Sequence, residues 1–165
     1  MADKSSFTPE EWKAILASPM LAGLAVTLAE PSGLWGTLKE SMASAQALLA
    51  AGNDPKASPL MKALLADMET SDGRTVAREE IKIDLTGKST AELKDQVMAK
   101  LAKVGEILDA KAPGEAAAFK TWLKYVADQV AEAASEGGVL GFGGKQVTDA
   151  ERATVSEVGK ALKVA

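Results

Sequence analysis

A chain of 165 residues, 47% hydrophobic and 25% charged, has the length and composition of one ordinary globular domain, and it contains no histidine and no cysteine. Those two absences exclude the usual neutral-pH general base, the commonest zinc ligand, the thiol nucleophile, the disulfide and the thiolate-held cluster. Nineteen bases against 23 acids leave a net charge of −4, which repels a phosphate backbone, so no nucleic-acid partner is expected.

Residues 1–7 read as a short polar N-terminal tail. The opening MADKSSFTPEEWK lacks the basic flank and apolar run of a secretory signal, which points to a cytoplasmic location. Thr8-Pro9 then opens a helix: a hydroxyl at the N-cap accepts a bond from an orphan backbone N–H, and proline in the next position lacks an N–H that had no helical partner. Ser18-Pro19 and Ser58-Pro59 repeat the pair. The repeats predict separate helices over 9–17 and 19–30 and a further start at 59. Capping boxes at Thr8/Glu11, Ser89/Glu92 and Thr148/Glu151 strengthen three starts. Gly52-Asn53, Pro113 and Gly137-Gly138 mark stops.

Helices are accordingly expected near 9–17, 19–30, 33–51, 59–70, 90–111, 114–136 and 148–163. In the interval 71–88, Ile81, Ile83 and Leu85 alternate as in a strand, whereas Val76, Glu80, Ile81 and Asp84 suit a short helix. A lone strand would have no partner, which favours helix or irregular structure. Leu93, Val97, Leu101, Val104 and Leu108 form one apolar stripe, and Phe119, Trp122, Leu123, Val126 and Val130 form another. These two helices are expected as an antiparallel central pair. The fold class is all-α, an irregular helical bundle of about seven helices in a single domain spanning 1–165.

The run Ala14 to Ala29 is uncharged but only 16 residues long, short of the roughly 20 that a membrane span needs, so no transmembrane insertion is expected. From residue 14 to 53 only Glu30, Lys39 and Glu40 are charged. Either the other helices enclose this stretch, or it forms an association surface.

Several segments resemble ligand sites and fail on register. Asp67-Met-Glu-Thr-Ser-Asp-Gly73 has the acidic-then-glycine order of a calcium loop, yet setting Gly73 at loop position 6 puts Met68 at position 1. Gly137 to Lys145 is glycine-rich before a lysine, but Val139 stands where the first phosphate-loop glycine belongs and Gln146 replaces the hydroxyl. Arg74, Arg78 and Lys82 would align on one helical face, amid Asp72, Glu79, Glu80 and Asp84. A solvated face explains that stripe. Two-iron bundle sites draw on histidine and cannot form here. Phe119, Trp122 and Tyr125, three residues apart, suit core packing first and a ligand cavity second.

FTPEEW (7–12), AEPSGLWG (29–36) and EAASEGG-x-LGFGG (132–144) resemble segments shared by an uncharacterised group of small all-helical bacterial proteins. The resemblance implies a bacterial cytosolic helical protein and carries no activity, ligand or catalytic residue.

The expected function is a non-enzymatic interaction or assembly protein, with no cofactor or metal and no catalytic residue, acting by self-association or on a protein partner. Its charge-poor helical surface around 14–53 would make the contact through Trp12, Met20, Leu24 and Trp35. The alternatives are a binder of an apolar small molecule between helices, suggested by Met20, Met42, Met61 and the tryptophans, and reversible membrane-surface association through 14–30.

Overall fold

Helices begin where the chain supplies a cap. The structure, a computed structural model, describes residues 2–29, 57–83, 86–136 and 147–165. Among them are six α-helices and no strand: α1 (Pro9–Thr27), α2 (Pro59–Glu69), α3 (Ser71–Glu80), α4 (Thr90–Lys111), α5 (Pro113–Glu136) and α6 (Asp149–Leu162). The all-α class agrees with the sequence. The helix count differs because two expected helices are one, residues 71–80 add another, and the helix expected at 33–51 lies outside the described residues.

All three expected capping boxes form. Glu11 accepts from the Thr8 amide at 2.8 Å while the Glu11 amide donates back to Thr8 Oγ1 at 3.2 Å, and Ser89/Glu92 and Thr148/Glu151 repeat the exchange. Each box satisfies two donors that a helix start would otherwise leave orphaned.

Ser18-Pro19 does not start a helix but sits inside α1. Proline removes the N–H that would have reached the carbonyl of Ile15, four residues back. The Ser18 hydroxyl donates to that same carbonyl at 2.7 Å, and the site is fully enclosed. One side chain thus supplies the bond its neighbour cannot make, and the helix continues to Thr27.

From Ala14 onward α1 is apolar on every side, with Ile15 to Gly23 and Ala25 to Thr27 all buried. A helix of that kind needs neighbours all round. It packs against each of the other five helices, so the centre of the bundle is α1 and not the expected α4/α5 pair. α4 and α5, joined through Ala112, do pack on each other and turn their predicted stripes inward: Leu93, Val97, Leu101, Val104 and Leu108 are buried, as are Phe119, Leu123, Val126 and Val130. Buried apolar side chains from all six helices form one contiguous core.

Residues 2–7 correct the expectation of a polar tail. Lys4–Ser6 form a 3-10 turn capped by Asp3, whose carboxylate accepts from the Ser5 amide at 2.8 Å. Ala2 and Phe7, flanking the polar residues, are both buried. The Ala2 amide donates to Glu115 Oε1 at 2.8 Å, and Glu115 Oε2 accepts from the Leu60 amide at 2.9 Å. A carboxylate in the first turn of α5 therefore holds the chain start and the start of α2 together.

The α2–α3 corner explains why residues 67–74 are not a loop. Thr70 ends α2 and caps α3: its hydroxyl donates to the Asp67 carbonyl at 2.7 Å and accepts from the Gly73 amide at 2.9 Å. Arg74 Nη1 folds back to the carbonyls of Glu69, at 2.6 Å, and Met68, at 3.2 Å. These are terminal acceptors that α2 itself cannot satisfy. Arg74 is thereby withdrawn from the basic stripe expected with Arg78, and Lys82 lies beyond the end of α3.

Candidate functional site

Trp12 and Leu16, four residues apart, fall on one face of α1, which Thr8 caps. Phe7, just before the Thr8 cap, packs on Trp12 in the fourth helical position, with ring centroids 5.8 Å apart and planes tilted by 34°. This is a hydrophobic staple, and it fixes the direction from which the chain enters α1. Opposite stands the α2–α3 corner with Asp67, Asp72, Gly73 and Val76. Between the two walls runs an open groove of about 360 Å³, floored by Phe7, Trp12, Leu16 and Val76 and rimmed by Lys4, Lys13, Asp67 and Asp72.

One end of this groove is latched. Asp67 Oδ2 accepts from Trp12 Nε1 at 2.6 Å and from Lys4 Nζ at 2.8 Å. Partial burial pushes the Asp67 carboxyl up, but these two hydrogen bonds and the Lys4 charge outweigh it and hold the group below its usual value. Asp67 is therefore a carboxylate at neutral pH, and it orients the indole. Lys13 and Asp72, on the same two walls, are exposed and make no ion pair among the described residues.

Of the four residues expected to make contacts, Trp12 is 4% exposed and forms part of the groove floor, Met20 is 2% exposed inside the core, and Leu24 is half-buried on α1. Trp35 lies outside the described residues. Over 15–27 the charge-poor stretch is interior apart from Leu24, so the surface expected there is core; residues 30–53 of that stretch lie outside the described residues. Met20 and Met61 pack in or against the core and do not line the groove, and Met42 is outside the described residues.

The other candidates resolve separately. Phe119 is buried and meets Trp122 edge-on, with centroids 5.4 Å apart, while Tyr125 is half exposed, the one large apolar side chain exposed among the described residues. Residues 71–80 are helical, so the calcium-like order lies across a helix junction. Among the described residues no group of three acidic side chains is placed to hold a metal ion, and no helix is long and apolar enough to cross a membrane. The glycine-rich stretch 137–146 lies outside the described residues.

Phe7 was hidden by its polar neighbours, although its position before Thr8-Pro9, with Trp12 in the fourth helical place, carries the staple signal. Asp67 and Val76 carried no local signal for the groove. Asp67 reaches partners 55 and 63 residues away, and that pairing exists only once the helices pack. No protein family, curated protein or solved structure matches the chain.

Proposed function

We propose that this chain is a non-enzymatic binding protein that holds a small, mainly apolar molecule between helices, in the groove floored by Phe7, Trp12, Leu16 and Val76. The observation that carries the reading is the groove itself, about 360 Å³ with an aromatic and aliphatic floor and a few polar groups confined to its rim. Small-molecule sites have this make-up and span about 300–1,000 Å³. The Asp67 latch adds preorganisation, since the indole is already oriented before any ligand arrives.

The test is a titration with the neutral probe 2-phenylethanol, followed through the indole N–H resonance of Trp12. Saturable movement of that resonance, abolished in a Val76→Trp variant whose larger side chain fills the floor, is the expected result. A Trp12 resonance that does not respond, or that responds equally in the Val76→Trp protein, overturns the proposal.

A further inference from the structure

We propose that the occupant of the groove is a free α-amino acid with an apolar side chain, an inference that rests on the binding reading above. The groove is polarised across its width. Lys4 and Lys13 stand on the wall formed by the N-terminal turn and α1, whereas Asp67 and Asp72 stand on the wall formed by the α2–α3 corner. At one end the two walls meet through the Lys4–Asp67 pair at 2.8 Å. Among the described residues Lys13 and Asp72 form no such pair, and each presents its charge beside an apolar floor.

Charge complementarity selects the ligand. A purely anionic molecule gains Lys13 but is repelled by Asp72, and a purely cationic one meets the reverse arrangement. A hydrocarbon covers the floor but engages neither of the two exposed rim charges. A molecule carrying a carboxylate and an ammonium next to one apolar group satisfies all three features: carboxylate to Lys13, ammonium to Asp72, side chain on Phe7, Trp12 and Val76. That is the constitution of an apolar α-amino acid, and about 360 Å³ admits one.

The experiment compares L-phenylalanine with 3-phenylpropanoate, 2-phenylethylamine and 2-phenylethanol by calorimetry on the full chain. These probes share the ring and differ in which charges they carry. Exposed ion pairs contribute up to about 1 kcal/mol, which is about fivefold in affinity, so L-phenylalanine should bind up to about fivefold more tightly than either singly charged probe. Lys13→Gln should lower L-phenylalanine to the affinity of 2-phenylethylamine, and Asp72→Asn should lower it to that of 3-phenylpropanoate. Neither variant should weaken 2-phenylethanol, which makes no ion pair with either residue, and retained binding of this probe shows that the groove has kept its shape. Equal binding of all four probes, or variants that weaken L-phenylalanine no more than 2-phenylethanol, overturns the amino-acid assignment and leaves the groove as an apolar binder. Failure of every probe, 2-phenylethanol included, overturns the binding reading as well.

Discussion

Ser18 and Pro19 act as one unit, and the residue scale is where their effect is decided. Proline deprives the buried Ile15 carbonyl of its partner, and the adjacent hydroxyl restores one at 2.7 Å. Ser18→Ala should therefore cost about 2 kcal/mol in urea unfolding, the penalty of a buried acceptor left without a donor. Pro19→Ala restores a backbone N–H aimed at the same carbonyl. The double variant Ser18→Ala/Pro19→Ala should lose markedly less than Ser18→Ala alone; equal losses would show that the hydroxyl does not substitute for the missing amide. The dipeptide also shows how one local signal carries two meanings. A hydroxyl before proline starts a helix at Thr8 and Ser58, where the preceding backbone is extended, and it repairs a helix at Ser18, where the preceding backbone is already helical and buried.

At the scale of elements, the α2–α3 corner depends on Gly73. A Cβ built there would lie 2.0 Å from the Asp67 carbonyl oxygen, which is backbone and cannot swing aside. Gly73→Ala should destabilise the protein by about 3 kcal/mol, the upper range for overpacking. It should also move the resonance of the Trp12 indole, because the Asp67 carboxylate rides on the same corner. Gly114→Ala provides the contrast. A Cβ at that position in α5 meets nothing within 4 Å, so the variant should gain up to about 1 kcal/mol from helix propensity. Chemical denaturation of the two variants separates steric demand from conformational freedom. Most element boundaries were legible in the sequence, because caps and apolar stripes are local: α2, α4, α5 and α6 fall within about two residues of their expected limits. The helix at 71–80 was legible only as helix or irregular structure somewhere within 71–88, since its caps, Thr70 and Arg74, work against carbonyls of the preceding helix.

At the scale of the whole molecule, Glu115 joins segments that are remote in the chain. Burial pushes its carboxyl up, but bonds from the Leu60 and Ala2 amides and the Ser58 hydroxyl outweigh this and hold it below the usual glutamate value. A carboxyl lowered in the folded state stabilises the protein fully above its unfolded value, about 4.3, and that contribution is lost as the pH falls through the lowered folded value. Glu115→Gln keeps one acceptor oxygen and presents an amide N–H to the second donor, so it should cost about 2 kcal/mol at pH 7. The gap between wild type and variant should narrow as the pH is taken below 4, and thermal unfolding across that range measures it. A gap that stays constant with pH would contradict the assignment. Asp67 shares the same sign, so both ties holding the N-terminal turn weaken in acid.

The all-α class, the capped starts and the inward stripes of α4 and α5 were determined by the sequence alone, because helix propensity, N-caps and periodicity act over three or four residues. Even the charge-poor stretch was legible as core or surface, though not as which. Tertiary structure decided that α1 is the hub, that Phe7 and Ala2 are buried, and that Trp12 faces Asp67 across a groove. These outcomes depend on contacts between residues more than 50 positions apart, and no local preference encodes which distant partner a buried indole or carboxylate will meet.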